Sequence, residues 1–229
     1  MTHDKSLRRP NVLLNALSPS TLSDPAVADV KLGNPCNEGD LPCQIRLPVR
    51  NFLALKYEVN NDEAACLLPE TAEFWGRIQY LDGGDMMVGA DTVTAEGKEQ
   101  GRDRAYIKFY HAVDKYRRNQ RKTPEMERRD SHGQLCRIVR LSVNLSNVPE
   151  LDSDDVDHLT VAIVRSVKWE MRNPGPMPFF QSGEFSPLLA VDIDDLRCLV
   201  GRTPDYRPHQ PRWEARYRRP DVMDDGFHN

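Results

Sequence analysis

The chain has 229 residues, 39% apolar and 29% charged, enough for one domain with a packed core and loose ends. A formal net charge of −4, a pI near 5.9 and a mean hydropathy of −0.63 exclude a strongly basic, general polyanion binder, so any nucleic-acid contact must be local. No apolar run approaches the ~18 residues that a membrane span needs, and the first twenty residues lack a continuous signal-peptide core.

Residues 1 to 45 are rich in Pro, Ser, Asn and Asp without a helical or strand period, which predicts a disordered leader. The first ordered candidate is residues 48 to 59, where Val49, Asn51, Leu53, Leu55, Tyr57 and Val59 alternate with Arg50, Phe52, Ala54, Lys56 and Glu58. That period of two predicts a strand. Residues 73 to 81 are aromatic and β-branched, and a turn at 82 to 85 leads to Met86, Met87 and Val88, the pattern of a hairpin. A polar loop is expected over 90 to 104.

In residues 105 to 116, Ile107, Phe109, His111 and Val113 alternate with Lys108, Tyr110, Ala112 and Asp114, which favours a strand. A basic run follows, and then Val139, Leu141, Val143 and Leu145 share one face of a further strand. Residues 159 to 171 begin as an almost unbroken apolar run, as a strand buried on both faces would. Near 188 to 202 an apolar strand meets Asp194 and Asp195, which are expected to cap one helical turn before Cys198, Leu199 and Val200 resume an extended course. Strand, short turn and short strand is how small SH3-like barrels commonly close. The expected fold is therefore mainly β, a small partly open barrel over residues 46 to 202. A Pro- and Arg-rich flexible tail is expected over 203 to 229.

The stretch Gly133-Gln134-Leu135 with its alternating strand, residues 161 to 169, the turn Gly175-Pro176-Met177-Pro178-Phe179-Phe180, Val191-Asp192-Ile193 and residues 198 to 202 together resemble a known kind of module. It is the β-rich accessory region of mushroom-type fungal proteins of transposon origin, and the likeness covers roughly residues 73 to 202. The arrangement also looks distantly like the bromo-adjacent-homology modules of chromatin proteins. The resemblance implies a barrel-like fold, mobile-element ancestry, a nuclear setting and a binding role without catalysis; it brings no catalytic residue with it.

Charge supplies the first candidate site. Residues 102 to 140 carry twelve Lys or Arg against five Asp or Glu, whereas 141 to 163 carry five acids and no base. Lys115, Arg117, Arg118, Arg121 and Lys122, with Tyr110 and Tyr116 beside them, have the cation and aromatic content of a single-strand nucleic-acid groove. The alternative is a solvated face, or one neutralised by the acidic residues 150 to 158. Which holds depends on whether those acids fold back onto the run.

Asp192, Asp194 and Asp195, joined by Glu170 or Asp157, have the donor type for a metal-dependent nuclease, although capping gives them a sufficient alternative task. Trp75, Tyr80, Trp169, Phe179 and Phe180 are candidates for an aromatic cage around a methylated lysine, or for core and rim fillers. The five cysteines (Cys36, Cys43, Cys66, Cys136 and Cys198) lack close pairs, and His111, His132 and His158 are scattered, so zinc is not expected. Neither a nucleophile elbow nor a phosphate loop is present, and no cofactor is expected. The sequence thus points to a non-catalytic interaction module with a protein partner; nucleic acid binding through residues 115 to 129 is the first rival and a nuclease the second.

Overall fold

The computed structural model describes residues 30–81, 84–95, 104–116, 121–123, 125–151, 155–171, 178–205 and 212–217. Nine strands form one antiparallel sheet: β1 (Val30–Asp40), β2 (Thr71–Tyr80), β3 (Met86–Val88), β4 (Tyr106–Asp114), β5 (Met126–Asn144), β6 (Val156–Met171), β7 (Pro178–Asp192), β8 (Leu196–Asp205) and β9 (Arg212–Tyr217). Among the described residues three α-helices accompany them: α1 (Cys43–Lys56), α2 (Asn61–Cys66) and α3 (Ala90–Ala95). The strand order is β1-β2-β5-β4-β8-β9-β7-β6, with β3 paired to β2 and an additional β5–β6 pairing.

The fold is mainly β, as the sequence predicts, but the sheet is open rather than closed into a barrel. β1 and β3 both attach to β2, outside the succession of strands that β6 curls back toward β5. The predicted hairpin is present, with Arg77, Ile78 and Gln79 opposite Val88, Met87 and Met86. The expected polar loop contains the short helix α3.

Residues 48 to 59 are not a strand. They lie mostly in α1: Ile45, Val49 and Leu53 form one buried stripe at successive spacings of four, while Asn51 and Leu55, which a strand would turn to the same side, are exposed. Pro48 is accommodated inside the helix. The helix ends where Glu58 takes a left-handed φ of 55°, and the Val59 N–H donates back to Ala54 O at 3.1 Å while Tyr57 N–H donates to Leu53 O at 3.0 Å. That is a Schellman-type stop built on glutamate instead of glycine. Asn60 then caps α2, its side chain accepting from the N–H groups of Asp62 and Glu63 while Glu63 accepts from the Asn60 N–H.

Part of the expected leader is also structured: residues 30 to 40 form β1, held chiefly by pairing with β2 while only Val30 and Leu32 pack partly against a core, which is why composition hides it. Residues 1 to 29 lie outside the described residues. In the expected tail, β8 runs on to Asp205 and β9 pairs with both β7 and β8. Backbone pairing can organise a Pro- and Arg-rich segment that offers no apolar pattern.

The core has two parts on opposite faces of the central strands. One gathers Ile45, Val49 and Leu53 of α1 with Val139, Leu141 and Val143 of β5 and Val161 and Ile163 of β6. The other gathers Ile107 and Phe109 of β4, Leu135 and Ile138 of β5, and Ala162 and Val164 of β6 with Val191, Ile193 and Leu196. β6 is therefore buried on both faces, as its apolar run predicts. Alternation lets β5 supply both cores, and the register shift between Leu135 and Arg137 puts Leu135 in the same core as Ile138 despite their odd spacing. Gly133 is required where β5 crosses β6, since a Cβ there would sit 2.2 Å from Arg165 O.

The short turn before β8 is a 3-10 turn over Ile193–Asp195, and its cap is Asp192 rather than Asp194 or Asp195: the Asp192 carboxylate accepts from Asp194 N–H at 3.1 Å. The Tyr80 hydroxyl reaches the same turn, lying 3.1 Å from Ile193 O and 3.3 Å from Leu196 O. Among the described residues, no helix is long and apolar enough to cross a membrane.

Candidate functional site

The alternation of β4 turns Ile107 and Phe109 into the core and leaves Lys108, Tyr110, Ala112 and Asp114 on the other face. Antiparallel register places His132 opposite Lys108, Asp130 opposite Tyr110 and Arg128 opposite Ala112. On the other flank of β4, β8 sets Cys198 opposite Lys108 and Leu196 opposite Phe109, with an irregularity that brings Arg197 in between.

Tyr110 is the centre of this face. The Arg128 guanidinium lies 4.3 Å from its ring centre and the Arg197 guanidinium 4.9 Å. Arg128 also pairs with Asp195, and Lys108 pairs with Asp130 at 2.8 Å. Arg197 is exposed and has no ion pair among the described residues. Burial raises the Asp195 carboxyl, while the Arg128 hydrogen bond pulls it down; the net shift is upward.

At the end of β4 the basic run begins, and local acids organise it. Asp114 accepts from Tyr116 N–H at 2.8 Å and Glu125 N–H at 3.2 Å, and Lys115 bonds Glu125 at 3.0 Å. That hydrogen bond raises the Lys115 ammonium pKa and holds the Glu125 carboxyl below its usual range. Lys122 sits 4.2 Å from the Tyr116 ring centre and Lys115 5.4 Å from it. Arg121 is exposed; Arg117 and Arg118 lie outside the described residues. Further along, Arg129 pairs with Glu127, and burial with the neighbouring Arg129 charge lowers the half-buried His111.

Asp157 of the acidic stretch does not lie against the described part of this run. Asp157 is opposite Val143 near one end of β5, whereas Met126, at the other end, is opposite Asp114. A strand of 19 residues has a contour of about 60 Å. Asp157 instead accepts a hydrogen bond from Tyr57, and residues 152 to 154 lie outside the described set.

The aromatic cage residues are not brought to one point. Trp75 is half-buried against the second core and donates to Glu73 at 3.2 Å, and the hydroxyl end of Tyr80 is engaged by the 3-10 turn. Ile138 faces both Trp75 and Ala162, so Trp169 lies seven residues further along β6, roughly 23 Å away. The side chains of Trp169, Phe179 and Phe180 lie outside the described residues; their backbones pair at the distant β6–β7 end.

The carboxylates near Asp192 are engaged separately. Asp192 caps its turn and pairs with Lys56 at 3.5 Å, Asp195 pairs with Arg128, and Asp157 takes the Tyr57 proton donor. Burial, with the charges of Asp192 and Asp195, raises the Asp194 carboxyl. Among the described residues no three or more His, Cys, Asp or Glu side chains are grouped to hold a metal ion. All five cysteines are free; Cys136 is buried, its thiol pushed up to about 11.

Reading the sequence finds Tyr110 and the charge of Arg128, but not their union with Arg197. That union depends on β8 lying beside β4, for which a single arginine after a turn gives no signal. No family model, curated protein or solved structure matches this chain.

Proposed function

We propose that the chain is a non-catalytic interaction module, of the mobile-element ancestry its sequence resemblance implies, and that it binds a protein partner through the outer face of β4, β5 and β8. The observation that carries this reading is Tyr110 with Arg128 and Arg197 packed about its ring. Tyrosine and arginine are the residue types that dominate binding energy at protein interfaces. Here their mutual contacts hold them in place before a partner arrives, which reduces the ordering cost of association.

The same contacts favour protein over single-stranded nucleic acid. Tyr110 and Tyr116 already carry cations from their own chain, so a base would have to displace them to stack. Much of the local positive charge is met by Glu125, Glu127, Asp130 and Asp195. The nucleic-acid reading retains one supporting observation, the separation of Asp157 from the run.

The test is comparative capture by the full chain and by its Tyr110→Ala and Arg197→Ala variants, with Val156→Ser, exposed at the opposite end of β5 from Arg128, as control. Partners retained by the control and lost by both face variants are expected. An unchanged partner set with all three would overturn the assignment.

A further inference from the structure

We infer that the segment received by the β4–β8 face is an extended acidic peptide; the inference rests on the interaction-module reading and specifies its partner. The acids of this face are each engaged at home. Asp114 holds the backbone of Tyr116 and Glu125, Glu125 holds Lys115, Asp130 holds Lys108 and Asp195 holds Arg128. Two exposed cations, Arg197 and Lys122, have a ring contact and no ion pair among the described residues.

These two cations mark the ends of a track. Arg197 rests on Tyr110 and Lys122 on Tyr116, and β4 covers about 13 Å between Tyr110 and Asp114 before the turn to Tyr116. Arg128 lies along the track with more than half of its side chain exposed (58%). Its guanidinium offers five donors, more than a single carboxylate can use. An extended peptide running beside β4 meets a fork at Arg197, a second at Arg128 and an ammonium at Lys122, so carboxylates several residues apart match it.

Nucleic acid matches it poorly. A base would have to displace Arg128, Arg197 or Lys122 from the two tyrosine rings before it could stack there. The peptide needs no base stacking and leaves both tyrosine rings covered.

Fluorescence anisotropy with the full chain and labelled octaglutamate tests this, with octaglutamine and single-stranded oligothymidylate of equal length as comparisons, at about 50 mM salt. Octaglutamate is expected to bind and octaglutamine not to. Arg197→Gln should weaken octaglutamate by about fivefold, and adding Lys122→Gln should weaken it further, with circular dichroism unchanged. Absence of octaglutamate binding, equal binding by the double variant, or tighter binding of oligothymidylate would each overturn the inference. If a captured partner depends on Tyr110 and Arg197 while octaglutamate fails to bind, the interaction face stands and its acidic ligand does not.

Discussion

The Tyr57 hydroxyl donates to the Asp157 carboxylate at 2.7 Å, joining positions 100 residues apart. Tyr57 is the residue at which α1 stops, and Asp157 is the second residue of β6. The bond fastens helix to sheet and holds this acid at the far end of β5 from the Lys115–Glu125 pair.

Tyr57→Phe should cost about 1 kcal/mol in urea unfolding, the usual net worth of one hydrogen bond. Burial and Asp157 raise the phenol pKa above its ordinary value of 10.0. The folded state therefore favours the neutral phenol. Its contribution is complete below pH 10 and is lost as pH rises beyond that value, because the unfolded chain ionises first. An alkaline unfolding midpoint unaffected by Tyr57→Phe would contradict this account.

His132 is 6% exposed, and burial beside Lys108 lowers its pKa to about 4, against the opposing pull of Asp130. The folded state binds the proton less readily than the unfolded one. Its stability contribution is thus complete above pH 6.5 and declines as pH falls toward 4, by about 2 to 3 kcal/mol. Urea titrations across that range should show the decline, and His132→Gln should flatten it.

Leu53 is fully buried and Leu55 is 45% exposed, although a strand would put both on one face. Leu53→Ala should cost about 2 to 5 kcal/mol and Leu55→Ala less than about 0.5. Equal losses would restore the strand reading.

Glu58 occupies a left-handed position that a glycine adopts without steric penalty. Glu58→Gly should raise stability by about 0.5 to 1 kcal/mol, read from the same denaturation curves. A loss of that size would show that the Glu58 side chain contributes more than the strain it carries.

Five phosphate contacts by Lys115, Arg117, Arg118, Arg121 and Lys122 would give a log-log salt slope of about −4 to −5 for DNA binding. With Glu125 holding Lys115, the slope should be shallower than that. Electrophoretic mobility shifts at several salt concentrations measure it directly.

What the sequence makes legible follows from what each segment buries. β4 and residues 139 to 144 of β5 show alternation because one side of each meets a core, and β6 reads as continuous because both sides do. α1 misleads because Val49 and Leu53 satisfy a period of two as well as a spacing of four, and Pro48 argues against a helix. β1 and β9 are held mainly by backbone bonds to neighbours, which leave little trace in side-chain pattern. In the candidate site the charges are plain in the sequence, but their partners are not. Asp195 answers Arg128 from 67 residues away, and only the sheet order brings Arg197 to Tyr110.

β5 has a mechanical consequence for the whole molecule. It is a wall common to two rooms: Val139, Leu141 and Val143 face one, Leu135 and Ile138 the other, and β2, β4 and β6 all lean on it. Neither room can be emptied while its wall stays upright for the other, so the two cores should melt in a single transition, and damage at Gly133 should be felt in both.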